Sequence, residues 1–340
     1  MRNVKALLVA ASLGGSVFQF PSQALAVDFF AGKTITILNS SDAGGGFDTY
    51  TRILARHFGK YVPGHPSVIV QSIPGGGGLK AAQTLYAVAP KDGSTIGNFR
   101  SSNVMDSVLG IRGVDLDMAR YHWLGSMGRD SDICSFWHTS GVKTFEDLRR
   151  KEVVVGASGK GAQNYSFPNA MNRVLGTKMK IVLGYQGMGD RIIALERGEL
   201  QGNCGIYASS IASLHMPLVE SGKLAPIVQS GLTPHPAFPN VPMTQSFAST
   251  ERDRTLLTAF FSQMEIARLF AAPPGTPADR VAILRTAFAQ AIADPELRAE
   301  AAKLGGEPDL VSGERVTQIV RDMRELPADL KADLKSLVGE

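Results

Sequence analysis

A strand, a glycine-rich turn and an amphipathic helix follow one another early in the chain, and this unit most constrains the fold. The strand is the apolar run Ile35–Leu38, and three adjacent glycines follow it at positions 44–46. Apolar side chains then recur at the spacing of one helical face, at Tyr50, Ile53, Leu54, His57 and Phe58. Glycines let the backbone approach a ligand closely, and a helix that begins there presents unpaired N–H groups and the positive end of its dipole. The unit therefore predicts an anion site at this turn.

The same unit recurs along the chain. A second glycine turn, Gly75–Gly78, follows the predicted strand Ser67–Gln71, and a third, Gly156–Gly161, follows Val153–Val155. Repeated strand, loop and helix units predict parallel α/β sheets whose loops lie at the carboxyl ends of the strands. Two such blocks are joined by extended segments near residues 123–131 and 224–231. We therefore expect two lobes, with a ligand in the cleft between them and a hinge that closes it.

The N-terminal segment predicts export. Arg2 and Lys5 precede an apolar run that extends to Phe20, and the small-x-small tripeptide Ala24–Ala26 follows. This pattern is typical of a signal peptide, here residues 1–26, that is cleaved near Ala26. A transmembrane anchor is the competing interpretation. The pattern favours it less, because glycines and a proline interrupt the run, which is shorter than the roughly 20 residues a spanning helix needs.

Charge and cysteine content limit the function further. The formal net charge is +4, and no basic run interleaved with aromatic residues suggests nucleic-acid binding. The two cysteines, Cys134 and Cys204, are 70 residues apart. An oxidising compartment would permit one disulfide bond between them, and two buried free thiols are the alternative; sequence spacing alone leaves both open.

Motifs for catalysis or cofactor binding are incomplete in this chain. Gly76–Ala81 fits the dinucleotide pattern, but Arg100 stands at the end of the next strand, where an acidic residue would bind the ribose. Val154 replaces the first glycine of a P-loop, and Lys160 replaces the second glycine of a nucleophile elbow around Ser158. The histidines and cysteines lack zinc spacing. We therefore expect no catalytic residue, no cofactor and no metal.

Short motifs in a fixed order carry a resemblance to a known family. They are Ala43–Asp48 with Arg52, Pro74–Gly78, Ala89–Gly93, Ala157–Gly161, Tyr185–Gly187 before Glu196–Glu199, Ser221–Leu224, Pro239–Pro242, and Pro274–Pro277 with Ala293–Glu296. Over residues 35–323 the chain resembles the Bug-type periplasmic solute-binding receptors of the tripartite tricarboxylate transporter family.

The resemblance implies an α/β, bilobal type II periplasmic-binding-protein fold with two Rossmann-like lobes joined by two crossover segments. The expected first lobe comprises residues 27–125 and 231–340, and the expected second lobe comprises residues 126–230. The implied function is that of a monomeric periplasmic receptor. It would capture a small organic carboxylate by lobe closure and deliver it to a membrane permease of two integral subunits, without catalysis.

The resemblance also points to binding residues. In the first lobe they are Gly45, Gly46, Phe47, Asp48, Gly76 and Gly77, and in the second lobe Ser158, Lys160 and Tyr185. The residues themselves add Arg100, which follows the third predicted strand and suits a carboxylate, and Tyr207, an aromatic candidate for the wall of the cleft.

Departures from the family pattern bear on the ligand. Many relatives carry Ser-Thr where this chain has Gly46-Phe47, and many carry an acidic residue within the segment that here reads Cys204-Gly205-Ile206. The missing acid disfavours a cationic amino acid, whereas an aromatic acid or a dicarboxylate remains compatible. Two other functions remain open: an exported α/β hydrolase or isomerase that acts on a carboxylate in the same cleft, and a sensor partner that presents a ligand to a signalling receptor.

Overall fold

The computed structural model describes residues 29–111, 113–114, 116–185, 187–304 and 308–338. The predicted signal peptide, residues 1–26, lies outside these described residues. Within them, no helix combines the length and the apolar character required to cross a membrane.

Eleven strands and thirteen α-helices are found in the described part of the chain. The strands are β1 Thr34–Asn39, β2 Ser67–Ser72, β3 Thr95–Arg100, β4 His122–Ser126, β5 Asp132–Trp137, β6 Val153–Ala157, β7 Met179–Leu183, β8 Gly202–Tyr207, β9 Leu224–Ser230, β10 Arg268–Ala272 and β11 Val311–Ser312. The helices are α1 Gly46–Phe58, α2 Leu79–Ala87, α3 Ser101–Leu109, α4 Phe145–Arg150, α5 Gln163–Leu175, α6 Met188–Glu196, α7 Ala208–Leu214, α8 Met216–Glu220, α9 Glu251–Phe261, α10 Ala278–Ala293, α11 Pro295–Lys303, α12 Gly313–Arg324 and α13 Ala328–Leu337. Short 3₁₀ turns occupy Gly59–Tyr61, Gly76–Gly78, Met118–Arg120, Thr244–Phe247 and Ser262–Ile266.

The strands form two separate sheets. The first has the order β11-β4-β10-β3-β1-β2, and the second has the order β7-β6-β8-β5-β9. We call the part of the chain built on each sheet the first and the second lobe. The predicted α/β, bilobal class is therefore confirmed, whereas the boundaries at residues 125/126 and 230/231 stay predictions.

Each sheet combines parallel and antiparallel pairs. In the first sheet β1 is parallel to β2 and β3, as the glycine-turn units predict, whereas β10 is antiparallel to β3 and β4. In the second sheet β6 is parallel to β7 and β8, and β5 is antiparallel to β8 and β9. A parallel pair needs a crossover connection over its own sheet. The chain enters or leaves the other lobe at β4, β5, β9 and β10, so these strands are free of that constraint.

Apolar periodicity explains how α1 docks. Ile53, Leu54 and Phe58 are fully buried and share one cluster with Ile35 and Ile37 of β1. Burying one such side chain contributes about 1.5–3 kcal/mol, so the helical stripe holds α1 firmly against the sheet. The position of the first glycine turn between β1 and α1 is fixed by this packing.

The second lobe contains a disulfide bond between Cys134 of β5 and Cys204 of β8. These strands are antiparallel neighbours in the second sheet, and both cysteines are buried in its apolar core. Of the two alternatives left open by the spacing, the structure has the bonded one.

Local signals set the bounds of several helices in the described chain. Helices α7 and α8 are separate, because Pro217 lacks the N–H that a continuous helix over Ala208–Glu220 would require. Thr250 caps the first turn of α9 by accepting a hydrogen bond from the Asp253 N–H. Four helices follow β10, the last beginning directly after Pro327.

Candidate ligand-binding site

A cavity of about 580 Å³ lies between the two lobes. The first lobe contributes residues 41–47 and Arg100 to its wall, and the second lobe contributes Ser158, Asn164, residues 187–191, residues 205–207, Ser210, Leu214 and His215. The first-lobe residues follow β1 and end β3, which are adjacent parallel strands. The volume is in the range of small-molecule sites, and the position at the carboxyl ends of parallel strands is where α/β proteins bind ligands.

The first glycine turn forms one side of the cavity. Helix α1 begins at Gly46 with Gly45 at the N-cap and no side-chain cap, so its first N–H groups have no partner from a capping side chain. Asp48 is 1% exposed and is not among the residues that line the cavity. Its carboxylate accepts hydrogen bonds from the Gly44 N–H at 2.9 Å, from Asn39 Nδ2 at 2.9 Å and from Arg52 Nε at 2.7 Å. Asp48 therefore braces the turn.

The other predicted glycine turns meet each other. A Cβ on Gly77 would lie 2.5 Å from the carbonyl carbon of Gly161, and a Cβ on Gly161 would lie 3.2 Å from the Gly76 carbonyl oxygen. Asn103 Nδ2 donates to the Gly77 carbonyl at 3.3 Å and fixes the first-lobe side of this contact. The turns that the sequence associates with ligand binding therefore form a backbone contact between the lobes, which we call the glycine contact.

The first glycine turn also touches the second lobe. A Cβ on Gly46 would lie 2.2 Å from Ser210 Oγ of helix α7. The Phe47 ring lies 6.1 Å from the ring of Tyr207, measured between centroids. Gly46 thus permits a close approach between the lobes, and Gly46 and Phe47 form part of the cavity wall.

Arg100 presents an uncompensated positive charge to the cavity. It ends β3 and occupies the N-cap position of α3, with its guanidinium carbon 4.7 Å from the centre of the Phe47 ring. Among the described residues, no carboxylate lies within ion-pairing distance of it. A guanidinium over an aromatic face is stabilised by about 0.5–2 kcal/mol, which orients the group without neutralising its charge.

Arg191 is a second charged group in the wall, and the sequence predictions missed it. It lies in the first turn of α6, is 4% exposed, and its Nε and Nη1 atoms have no hydrogen-bond partner among the described residues. Burial, together with the positive charge of Arg100, lowers the pKa of Arg191 to about 10, although Asp190 and Asp42 act in the opposite direction. The spacing of Arg191, Ala194 and Leu195 on one buried face was the sequence signal available for it.

The structure brings together six of the eleven predicted binding residues. Those in the cavity wall are Gly45, Gly46, Phe47, Arg100, Ser158 and Tyr207; those outside it are Asp48, Gly76, Gly77, Lys160 and Tyr185. Lys160 is exposed, and Tyr185 packs against the apolar cluster of Leu195 and Leu200.

A buried polar network lies behind the wall and joins the lobes. Arg268 of β10 donates from Nη1 to Asp130 Oδ2 at 2.8 Å and from Nη2 to Ser209 Oγ at 2.6 Å. Its guanidinium carbon lies 4.4 Å from the centre of the Tyr50 ring and 4.7 Å from that of Tyr207. Arg268 therefore connects the first sheet to the start of α7 in the second lobe.

Asp132 is buried beside this network. Neither of its carboxyl oxygens has a hydrogen-bond partner in the described chain. Burial and the neighbouring Asp130 raise the pKa of Asp132 well above its ordinary value, against the lowering effects of Arg100 and Arg268. This shift favours the neutral form of the carboxyl group and so weakens its pairing with Arg100.

The two-sheet arrangement with a cavity between the sheets is the fold of periplasmic binding proteins, as comparison with solved structures shows. No family model matches the sequence. A UPF0065 protein in the gbd 5′ region of Cupriavidus necator is 25% identical over 330 residues, which cover 94% of this chain and 92% of that protein.

Solved structures resemble the chain over most of its length. The periplasmic binding protein BugD has a TM-score of 0.72 at 16% identity and covers 91% of this chain and 98% of its own. MatC from Rhodopseudomonas palustris, with bound malate, has a TM-score of 0.71 at 18% identity and covers 91% and 100%. The predicted resemblance to Bug-type proteins is thus confirmed, and the structural likeness establishes the fold.

Proposed function

We propose that this chain is a periplasmic receptor, exported through the N-terminal segment, that captures a small organic carboxylate between its lobes without chemical conversion. The uncompensated charge of Arg100, facing a cavity beside the start of α1, is the observation that carries the proposal. A carboxylate satisfies a guanidinium by bidentate hydrogen bonds, and helix N–H groups add further donors. MatC, a neighbour in fold, was solved with malate, an organic acid of this class.

Lobe closure is the proposed capture mechanism. Wall residues come from both lobes, so a ligand that touches both binds the closed form more tightly than the open one and shifts the equilibrium toward closure. Arg268 and its hydrogen bonds to Asp130 and Ser209 lie where the lobes join and are suited to act as a fixed pivot. An aromatic acid or a dicarboxylate suits this wall, because it combines Phe47 and Tyr207 with cationic groups.

Delivery completes the proposed role. The resemblance to Bug-type receptors supports a monomeric protein that passes its ligand to a permease of two integral membrane subunits. No cofactor takes part in capture by closure, and the proposal includes none.

A thermal-shift screen of purified protein against mono-, di- and tricarboxylates tests the proposal. A receptor binds its ligand only when folded, so a few acids should raise the melting temperature by several degrees at concentrations far above their Kd. Proton NMR of the stabilising acid before and after incubation should show the same compound. Formation of a product would replace the receptor role by catalysis, and the absence of stabilisation by any acid would refute carboxylate capture.

A further inference from the structure

We infer that Arg191 is the second anchor of the cavity and that the ligand is a dicarboxylate whose acid groups pair with Arg100 in one lobe and Arg191 in the other. This inference rests on the proposed receptor function and narrows its ligand class. An aromatic acid with a single carboxylate is the alternative that it excludes.

The environment of Arg191 lacks the partners of a structural arginine. A buried guanidinium that serves the fold normally has a carboxylate or carbonyl acceptor. Arg268, equally buried in the same protein, pairs through its two terminal nitrogens with Asp130 and Ser209, although its Nε also has no partner in the described chain. Arg191 is 4% exposed and has neither a carboxylate within ion-pairing distance nor an acceptor for Nε or Nη1 among the described residues. Nε and Nη1 are themselves buried, and Arg191 contributes to the cavity wall. Its guanidinium charge is therefore unpaired at the edge of the cavity, where an anionic ligand is the group that would pair with it.

The two arginines act on each other as well. Burial lowers the pKa of Arg191 most, and the positive charge of Arg100 lowers it further. The two guanidinium groups therefore repel each other. Two positive charges on the wall of one cavity repel each other unless an anion lies between them. An anion with one negative charge balances only one of the two positive charges. A dianion with one carboxylate at each end balances both.

The acidic residues of the wall do not replace such a ligand. Asp190 lies in the first turn of α6 and accepts a hydrogen bond from the Gly187 N–H at 3.3 Å, so it serves the helix start. Asp42 of the first turn lies against Gly187 across the cleft; a Cβ on that glycine would be 3.6 Å from Asp42 Oδ2. Both raise the pKa of Arg191, and neither is within ion-pairing distance of it.

The placement on opposite lobes links recognition to closure. Arg100 ends β3 of the first sheet, and Arg191 is carried by α6 of the second lobe. A monoacid has one negative charge to share between the two groups, so it gains less from closure than a diacid does. Arg191 is therefore expected to determine specificity for the second acid group.

Calorimetric titration of four diacids and their monoamides tests the inference. Succinate, glutarate, adipate and terephthalate each differ from their monoamide by one charge at nearly constant shape. Wild-type protein should bind at least one diacid about ten- to a hundredfold more tightly than its monoamide, as loss of one charge-assisted contact implies. Arg191→Gln should reduce this ratio to near one. Arg197→Gln, an exposed arginine immediately after the same helix, is the matched control and should retain it.

The melting temperature of the ligand-free variants provides an independent readout. Because Arg191 is a buried charge without a partner, Arg191→Gln should leave the free protein as stable as the wild type or more stable. A structural arginine would instead lose stability on this change. The inference is overturned if Arg191→Gln keeps the diacid preference or lowers the melting temperature markedly, or if monoamides bind wild-type protein as well as diacids. Binding of monoamides and diacids alike would leave the receptor function intact, whereas no binding of any compound would refute both.

Discussion

The glycine contact makes a specific prediction about closure. Gly77 has φ +68°, in the left-handed region, and a Cβ at this position would lie 2.5–2.7 Å from three backbone atoms of Gly161 and Ala162. Backbone atoms cannot swing aside as a flexible side chain does, so Gly77→Ala forces the two loops apart. The added methyl group therefore disfavours the closed form and has no neighbour to meet in the open form.

The magnitude follows from two separate effects. Placing alanine in the left-handed region destabilises the fold by about 1–2 kcal/mol whether the lobes are open or closed. Overpacking at the contact adds about 1–3 kcal/mol in the closed form alone. Because binding requires closure, only the second effect enters the affinity, and it corresponds to a roughly 5- to 150-fold weaker Kd.

Gly176 offers a matched control. It ends α5 with φ +70°, and a Cβ there would have no atom within 4 Å. Gly176→Ala should therefore lower the melting temperature through backbone strain and leave the Kd of the diacid unchanged in calorimetry. The reasoning is refuted if Gly77→Ala binds the diacid as tightly as Gly176→Ala does, because the loops would then not meet in the ligand-bound form.

Three further predictions concern stability. Arg268→Ala leaves Asp130 buried without its cation, and urea unfolding should show a loss of about 3–5 kcal/mol; a loss below 1 kcal/mol would contradict the pairing. The bond between Cys134 and Cys204 closes a loop of 70 residues, so reduction should destabilise by about 4 kcal/mol, and non-reducing mass analysis should find no free thiol. Burial raises the pKa of Asp294, but hydrogen bonds from the Glu296 N–H, Lys60 and His57 outweigh it and hold that pKa below its ordinary value. The stabilisation is therefore present above the ordinary carboxyl pKa of about 4 and is lost as pH falls further. Asp294→Asn should remove this pH dependence from urea unfolding; a variant with the wild-type dependence would contradict it.

Local sequence signals predicted the units that position the site. Alternation between apolar runs, glycine turns and helical stripes requires only neighbouring residues, and β1, α1 and the parallel pairs of both sheets follow from it. The antiparallel strands were not predictable in the same way. Their direction depends on where the chain passes from one lobe to the other, which no local period records.

The site itself shows where local reasoning ends. Glycines at positions 76–77 and 161 signal close approach by a backbone, but the sequence does not say what approaches; here each turn meets the other. The spacing of Arg191 with Ala194 and Leu195 signals a buried position, but the lack of acceptors for its guanidinium is a property of the tertiary packing, which no local pattern records. Arg100 was predictable because its position at the end of a strand is itself a local feature.

Calorimetric titration of the double variant Arg100→Gln, Arg191→Gln against the tightest-binding diacid tests the central claim most directly. Wild-type protein should bind one diacid molecule per chain and return it chemically unchanged, and the double variant, folded by its circular dichroism spectrum, should show no saturable binding. Wild-type affinity in the double variant would contradict the claim that these two arginines hold a carboxylate ligand between the lobes.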